Sequence, residues 1–581
     1  MACVAAKLGA GSSSSWMLGS RDHASGRRNE LRAQAVAGRR ATTELPKLFV
    51  ERPSSTGPAM RTKTTTKKPL NFAQKIADKV IDVVERNLEL LHGQQEPLPS
   101  TVDPLVQLEG NFSPVAEQPA CHDLEVEGNL PGCLEGVYVR NGPNPQFAPT
   151  GRHHLFDGDG MLHAVSIHAD GSVSYACRYT RTYRFMEEAR QGRAFFPKPI
   201  GELHGYGGVA RLLAHWTRSL CGILDASQGM GVANAGLVWF NKRLLAISED
   251  DLPVEVRMTE NDDIETVGRY DFHGQLAHSM IAHPKIDPAT GELFSLSYNV
   301  LSAPYLKYLI FGPDGEKKNE VPVTLPEAAM THDFAITENF VVIPDQQIVF
   351  RLKEMLTGGS PVVLDPKKTP RFGIMPKYAT SEEQLLWIEV PNCFFFHLYN
   401  AWEEGDEVVV IGSSMTPADI IFKTSEVPRA LFTEVRLNRV TGKSSKRELC
   451  SLNLEVGKMN LNYVGKKTQF MYLAIVEPWP KVSGIAKVDV QSGDVVARYN
   501  FGPDRFGGEP VFVPRGSGGT AEDDGYLLAF CHDEHTGLSE LLVLDAASPT
   551  LARVASVKLP SRVPYGFHGA FIPAQDLLQA Q

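Results

Sequence analysis

Short apolar segments separated by a recurring turn pattern leave few folds open to this chain. Segments such as 244–247, 340–343, 407–411 and 527–530 are apolar or β-branched and are bounded by turn residues, as β-strands are. Three turns share an Asp or Asn followed four residues later by Gly, and they begin at Asp287, Asn438 and Asp489. Such hairpin chemistry recurs from about residue 105 onward without alternating long helices. The sequence therefore predicts an all-β fold, and the repetition favours a β-propeller.

Two segments show helical rather than strand periodicity. Over 71–92, apolar residues recur at steps of three and four and predict an N-terminal amphipathic helix, followed by a linker over 93–104. Its apolar stripe consists of Phe72, Ile76, Val80, Val83, Val84, Leu88 and Leu91. This helix either packs on its own domain or lies on a membrane surface. A second helical pattern over 200–224 predicts an insertion in the 105–581 domain that serves as a lid, a membrane-facing element or core packing.

The first 70 residues differ from the rest in composition. They hold 13 Lys and Arg against 4 Asp and Glu, together with 15 Ser and Thr. A basic, hydroxyl-rich segment that is poor in acids is typical of an organellar transit peptide, and a disordered solvated tail is the alternative. Composition alone does not separate a plastid from a mitochondrial address. The net charge of −10 for the 581 residues argues against nucleic acid as the main partner, because phosphate binding needs a basic surface.

Four of the 17 histidines lie in apolar, strand-like surroundings. They are His283 in MIAHPKIDP, His332 in AAMTHDFAIT, His397 in PNCFFFHLYNAWEE and His568 in VPYGFHGAFI. A single buried histidine is usually a core residue with satisfied hydrogen bonds, so spacing alone leaves that interpretation open. Four neutral imidazoles that converge would suit Fe(II) and would leave coordination positions for oxygen and substrate.

Two polar runs also resemble ligand clusters. HHLFDGDG begins at His153 and lacks the distal Glu of a calcium-binding loop, so a tight hairpin capped by Asp is the better interpretation. CHDEH begins at Cys531, and its density of polar residues suits an exposed turn.

The stretch from about residue 111 to 572 closely resembles the carotenoid cleavage oxygenases, and within them the plant 9-cis-epoxycarotenoid dioxygenases. The matching blocks are long, and they include GVYVRNGPNP, HHLFDGDGM, GVANAGLVWFNKRLLAISEDDLP, NAWEEGDEVVVIGSSMTPAD, EPWPKVSGIAKVD, RFGGEPVFVP and PSRVPYGFHGAFI. This resemblance implies a seven-bladed propeller with a helical cap over the active site. It also implies one non-haem Fe(2+) per subunit on the propeller axis.

The resemblance assigns roles to individual residues. His283, His332, His397 and His568 would be the metal ligands and the catalytic centre. Glu249, Glu455 and Glu509 would hold ligand imidazoles from behind, which fixes each tautomer and makes the ligand more basic. Aromatic residues that flank two of the ligands are candidate walls of an apolar substrate tunnel, and they are Phe394, Phe395, Phe396, Tyr399 and Phe567. Phe395 and Tyr399 stand where the plant pattern usually has cysteine and tryptophan. His273 and His278 also depart from the pattern and are expected to be surface variants.

The implied reaction is cleavage of the 11,12 double bond of a 9-cis-epoxycarotenoid, such as 9-cis-violaxanthin or 9'-cis-neoxanthin, with O2 as co-substrate. The products would be xanthoxin, the precursor of abscisic acid, and a C25 apocarotenal. The enzyme would work in the chloroplast, in the stroma and in peripheral contact with the thylakoid membrane, with no nucleic acid and no obligate protein partner. A related dioxygenase acting on another carotenoid or bond is the alternative, as is a non-catalytic carotenoid-binding propeller or an isomerase.

Overall fold

The recurring turn closes through a backbone hydrogen bond in each of its copies. In the computed structural model, which describes residues 70–92, 98–423, 427–516 and 521–579, the N–H groups of Gly291, Gly442 and Gly493 donate to the carbonyl four residues earlier at 2.8, 3.0 and 2.8 Å. These glycines have φ of 69°, 68° and 83°, a region that only glycine adopts without strain. Gly537 donates to Asp533 in the same way at 2.8 Å. The CHDEH run therefore ends in a fourth copy of this turn.

Parts of the predicted domain organisation lie outside the described residues. Of the segment 1–70, only Leu70 is described, and the linker predicted over 93–104 is described from residue 98 onward.

Six α-helices occur in the described residues, and three of them have only four residues. They are α1 Phe72–His92, α2 Pro104–Gln107, α3 Tyr183–Gln191, α4 Gly205–Leu220, α5 Ile420–Lys423 and α6 Ala574–Leu577. The two long helices, α1 and α4, fall where the sequence predicts helical segments. That the insertion around α4 caps the active site stays a prediction.

The other regular elements of the described chain are mainly β-strands. Before α3 come β1 Gln118–Cys121, β2 Val126–Gly128, β3 Gly136–Pro143, β4 Gly160–Ile167 and β5 Val173–Tyr179. After α4 come β6 Gly236–Phe240, β7 Arg243–Ile247, β8 Val254–Met258, β9 Ile264–Arg269, β10 Lys285–Ile286, β11 Leu293–Tyr298, β12 Leu306–Phe311 and β13 Lys317–Val323. They are followed by β14 Ala335–Ile336, β15 Phe340–Asp345, β16 Ile348–Phe350, β17 Val362–Leu364, β18 Arg371–Pro376 and β19 Leu386–Glu389.

The longest strands lie in the second half of the chain. They begin with β20 Phe395–Glu404, β21 Glu407–Thr416, β22 Arg429–Asn438, β23 Ser444–Lys458, β24 Phe470–Ile475, β25 Gly484–Asp489 and β26 Val495–Asn500. The last six are β27 Arg505–Gly507, β28 Val511–Pro514, β29 Gly525–Asp533, β30 Ser539–Asp545, β31 Arg553–Lys558 and β32 Gly569–Pro573.

These strands form antiparallel sheets made mainly of chain neighbours. The strand orders are β1-β5-β4-β3-β32, β6-β7-β8-β9, β10-β11-β12-β13, β14-β15-β18-β19, β16-β17, β20 to β26 in sequence, and β2-β31-β30-β29-β27 with β28 also paired to β29. The C-terminal strand β32 pairs with β3, so strands from the two ends of the domain share one sheet.

Strand β23 divides the largest sheet into two units. Its first part pairs with β22, with Ser444 opposite Leu437. Its second part pairs with β24, with Leu454 opposite Ile475. With β23 counted in both units, seven antiparallel units of four or more strands follow one another in the described chain. Seven is the number of blades that the resemblance implies, and the closure of these units around one axis stays a prediction.

The polar face of α1, and not its apolar stripe, packs on the rest of the domain. Arg218 of α4, whose side chain is 0% exposed, pairs with Asp78, Asp82 and Glu85 of α1 at 3.1, 2.6 and 2.7 Å. Arg193 adds a second pair to Asp82 at 2.7 Å. The stripe meanwhile faces outward, with exposed fractions between 48% and 79% for Phe72, Ile76, Val80, Val83 and Val84. The helix therefore docks on its own domain and leaves most of its apolar stripe uncovered by described residues.

None of the helices in the described residues is both long enough and apolar enough to cross a membrane.

Candidate metal centre

The four histidines singled out in the sequence come from four different sheets. His283 lies two residues before β10, His332 three residues before β14, and His568 directly before β32. His397 is the third residue of β20. Their sheets are separate in the described chain. The packing of these sheets therefore brings together residues that are up to 285 positions apart in sequence.

The four rings converge on one point. One ring nitrogen from each histidine lies within 4.8 Å of the corresponding nitrogens of the others. The Nε2 atoms of His283 and His332 are 3.1 Å apart. The ring of His283 meets those of His332, His397 and His568 edge to face, at interplanar angles of 71°, 85° and 84°. Among the described residues, this is the one group of three or more His, Cys, Asp or Glu that could hold a metal ion.

A glutamate lies behind three of the four imidazoles. The Nδ1 of His397 is 3.0 Å from Glu455 Oε2, and the Nδ1 of His568 is 2.6 Å from Glu509 Oε2. Glu249 makes the equivalent contact with the Nδ1 of His332. A proton shared at Nδ1 leaves Nε2 as the free lone pair, which is the form that ligates a metal. All three glutamates expected from the resemblance therefore lie at the site.

Burial and charge set the protonation of these groups. Burial lowers the pKa of His568 to about 4, although Glu509 opposes the shift. Burial and the neighbouring imidazoles hold the pKa of His283 well below its usual value. Burial alone would raise the pKa of Glu509, but Lys458 and His568 outweigh it and lower that pKa to about 2. At neutral pH, His283 and His568 are therefore neutral, and the Glu509 carboxylate behind His568 is ionised.

His397 shows the opposite shift. Burial disfavours its imidazolium form, but Glu455 outweighs burial and raises the pKa of His397. Its Nε2 is also buried and has no hydrogen-bond partner among the described residues. Glu455 favours a positive charge on the His397 ring. A metal cation bound at Nε2 would supply that charge in place of a proton. Four imidazole donors, with compensating carboxylates behind them, therefore fit a divalent transition metal.

Each glutamate is held in turn by a further polar group that the sequence analysis did not identify in this role. Tyr298 donates to Glu249 at 2.5 Å, Tyr399 donates to Glu455 at 3.0 Å, and the Nζ of Lys458 lies 3.2 Å from Glu509. These contacts join residues that are far apart in the chain, so residue spacing gives no signal for them.

Tyr399 was expected to line the tunnel, but its hydroxyl points at Glu455 and Ser413 instead. Its ring lies over Gly457, where a Cβ would come within 2.9 Å of the ring.

Aromatic side chains cover the His332 side of the centre. Phe396 stacks on His332 with ring centroids 4.0 Å apart, and Phe156 contacts both Phe396 and Phe567 at 5.8 and 5.4 Å. Phe394 belongs to the same apolar cluster as Phe396. Phe395 points to the opposite side of β20 and packs on Phe372 in the core, because successive strand residues face opposite ways.

None of the remaining sequence candidates belongs to the four-histidine group in the described residues. In HHLFDGDG, Asp157 accepts hydrogen bonds from the backbone N–H groups of His154 and Gly201, so it caps the loop as expected. His273 and His278 are exposed, as expected for surface variants.

Comparison with known proteins adds independent information. The profile of the family described as retinal pigment epithelial membrane protein, RPE65, matches residues 112–573. The chain is 53% identical to 9-cis-epoxycarotenoid dioxygenase NCED6, chloroplastic, of Arabidopsis thaliana, across 87% of this chain and 88% of that protein. It is 40% identical to carotenoid 9,10(9',10')-cleavage dioxygenase 1 of Phaseolus vulgaris, across 88% of this chain and 95% of that protein. The crystal structure of Pseudomonas brassicacearum lignostilbene dioxygenase matches with a TM-score of 0.72 at 26% identity, across 82% of this chain and all of that one.

Proposed function

Because the chain belongs to the RPE65 family of carotenoid oxygenases, we propose that it is an Fe(II)-dependent dioxygenase that cleaves a double bond of a carotenoid. The convergence of four imidazole nitrogens within 4.8 Å is the observation that carries this proposal. His283, His332, His397 and His568 would hold the iron through their inward nitrogens. Glu249, Glu455 and Glu509 would keep three of those imidazoles in the ligating tautomer.

The iron, when bound, would supply the redox chemistry that O2 needs to react with a carbon–carbon double bond. The protein's own groups bind and orient the substrate. Phe396, Phe156 and Phe567 present an apolar surface beside His332, where a polyene would bind by excluding water. Both atoms of O2 would enter the two carbonyl products, so no separate reductant is required.

The substrate we propose is a 9-cis-epoxycarotenoid, cleaved at the 11,12 bond to xanthoxin and a C25 apocarotenal. The support is the 53% identity to the Arabidopsis protein named 9-cis-epoxycarotenoid dioxygenase, together with the matching sequence blocks. Xanthoxin is the precursor of abscisic acid, so the enzyme would act in the supply of that hormone. Cleavage at a 9,10 bond is the second candidate, because the Phaseolus vulgaris relative with that name is 40% identical.

Product analysis distinguishes these candidates. Purified enzyme should be given 9-cis-violaxanthin, 9'-cis-neoxanthin and all-trans-β-carotene in separate reactions, with products identified by mass. Xanthoxin and a C25 apocarotenal from the two 9-cis substrates, with no cleavage of all-trans-β-carotene, is the expected result. Products of 9,10 cleavage would move the assignment to the second candidate. Isomerised substrate without any cleavage product would overturn the dioxygenase assignment.

We also propose that the enzyme works in the chloroplast and contacts the thylakoid surface through α1. The Arabidopsis relative is named chloroplastic, and carotenoids are made and stored in plastids. The outward stripe of α1 is flanked by the exposed residues Lys75, Lys79 and Arg86. Apolar side chains bordered by basic ones suit the surface of a bilayer with anionic lipids, which is where the apolar substrate resides.

A further inference from the structure

His283 differs from the other three histidines of the centre. Among the described residues no carboxylate contacts its Nδ1, whereas His332, His397 and His568 each have a glutamate there. Its only polar ring contact in the described chain is with the Nε2 of His332. Contacts other than a hydrogen bond from its ring to a carboxylate must therefore fix the position of His283.

An ion pair between a partly buried lysine and a buried aspartate lies next to His283 in the chain. The Nζ of Lys285, two residues after His283, is 2.7 Å from the Oδ1 of Asp333, the residue that follows His332. The side chain of Asp333 is 4% exposed and that of Lys285 is 18% exposed. Separating the two groups would leave the buried Asp333 carboxylate without its countercharge, which disfavours their separation.

The same pair binds the peptide that follows His397. The backbone N–H of Leu398 donates to Asp333 Oδ2 at 2.9 Å, and the Leu398 carbonyl accepts from Lys285 Nζ at 3.3 Å. The two charged groups therefore hold the backbone of Leu398 at both its N–H and its carbonyl, which belong to the two successive peptide units on either side of its Cα. Because Leu398 directly follows His397, this contact fixes the backbone that carries a third histidine.

The three segments joined in this way belong to three separate sheets. Strands β10, β14 and β20 share no backbone pairing in the described chain, so main-chain ladders do not fix the distances between His283, His332 and His397. The pair of Lys285 and Asp333 supplies that connection with charge-assisted hydrogen bonds, which are stronger than neutral ones.

We propose that Lys285 and Asp333 form a clamp that positions His283, His332 and His397 for metal binding. This inference rests on the proposed function, because it assumes that the four histidines hold a metal. Lys285 and Asp333 lie outside the group that would hold the metal, so they are positioning residues. The clamp holds the three histidines near their metal-binding positions before a metal arrives, so less of the binding free energy is needed to move them. Its loss therefore weakens metal binding beyond any loss of fold stability.

The test compares metal affinity and fold stability in matched variants of the full chain. Lys285→Met removes the charge, and Asp333→Asn keeps the shape and an acceptor for the Leu398 N–H. The control is Lys487→Met: Lys487 pairs with Asp523 at 2.6 Å and also donates to a carbonyl, that of Ala546, at 3.0 Å. That pair matches the clamp chemically but joins no segment that bears a histidine of the centre.

Metal-stripped protein is titrated with Co2+, and Kd and the visible absorption of the bound ion are recorded beside a urea unfolding curve. We expect Kd to rise about tenfold or more in Lys285→Met and Asp333→Asn, with altered Co2+ bands. Lys487→Met should lose comparable stability but keep the wild-type Kd and spectrum. Lys285→Arg should recover most of the affinity, because it restores the charge.

The outcomes separate this inference from the proposed function. If wild-type protein binds no metal, the proposed metal centre is refuted, and the proposed clamp is refuted with it. If wild-type protein binds Co2+ and both clamp variants bind it with the same Kd and spectrum, only the clamp is refuted. Equal losses of affinity in Lys487→Met and the clamp variants would also refute it, because the effect would then come from general destabilisation.

Discussion

Carboxylates behind three imidazoles explain how a site without a carboxylate ligand can hold a divalent cation. Glu249, Glu455 and Glu509 accept from the Nδ1 side, where each also has a second polar contact from Tyr298, Tyr399 or Lys458. The second contact restricts rotation of the carboxylate, so its direction toward the imidazole is fixed before any metal arrives. Each imidazole is therefore oriented from behind by a short chain of hydrogen bonds.

Glu455→Gln tests this arrangement at a single residue. The amide keeps the shape of the side chain but removes the charge that Glu455 directs at His397. We expect metal affinity or turnover to fall by roughly 10–100-fold, the usual range for partners of this kind. Metal titration and initial rates on the same preparation provide the measurement.

The matched control for that substitution is Glu403→Gln on β20, the strand that carries His397. Glu403 accepts from Thr337 and Asn339 and contacts none of the four histidines. It should retain wild-type metal affinity. Wild-type affinity and turnover in Glu455→Gln would show that the carboxylate does not support His397.

At the scale of the element, α1 is an amphipathic helix with its polar side inward. Asp78, Asp82 and Glu85 face the arginines of the domain, while the apolar stripe faces out. A contiguous apolar surface that stays exposed in this way marks a site of interaction with another protein or with a membrane. This arrangement is the structural basis for proposing a membrane contact.

Changing Ile76, Val80 and Val84 to Asp should release the protein from thylakoid-like liposomes. These three side chains are about half exposed, so the triple variant should fold. If each loses about 1 kcal/mol of burial in the bilayer, partitioning should fall by about a hundredfold. Liposome flotation measures the effect, and cleavage of detergent-solubilised substrate should survive.

The control carries three similar changes away from α1. Val440, Leu461 and Leu538 are 75%, 65% and 64% exposed, and their replacement by Asp should leave liposome binding intact. If the stripe variant stays bound, another surface is the membrane contact. If the stripe variant loses activity in detergent, the apolar stripe is needed for the domain to fold.

Arg218→Met should loosen α1 without touching its stripe. The change leaves three acids of α1 without their main partner at a buried interface, a loss on the order of 3 kcal/mol. Amide hydrogens of α1 should then exchange faster than those of the strands, as measured by hydrogen exchange with mass spectrometry. Unchanged protection of α1 would mean that Arg218 does not hold it.

For the whole molecule, local patterns in the sequence predicted the recurring turns and the two long helices, but not the helix α3 Tyr183–Gln191. The Asp-or-Asn-to-Gly turns are visible in the sequence because one backbone geometry requires both residue types. The four histidines were recognisable from their apolar surroundings, and the three glutamates from the resemblance. All seven lie at one centre.

Relations between distant segments were not predictable in the same way. The periodicity of α1 is the same whether its stripe faces in or out, and partners elsewhere in the domain, such as Arg218 and Arg193, decide the direction. The contact of Lys285 with Asp333 joins separate sheets. Tyr399 of β20 contacts Glu455 of β23. The residue pattern of β20 alone does not predict where β23 lies.

Metal analysis of purified protein, paired with cleavage activity, tests the central claim most directly. Wild-type protein should contain about one Fe per chain, and His332→Ala and His568→Ala should each lose both iron and activity, because a ligand has been removed from a four-imidazole set. Full activity in either variant, or stoichiometric zinc in active wild-type enzyme, would contradict the account.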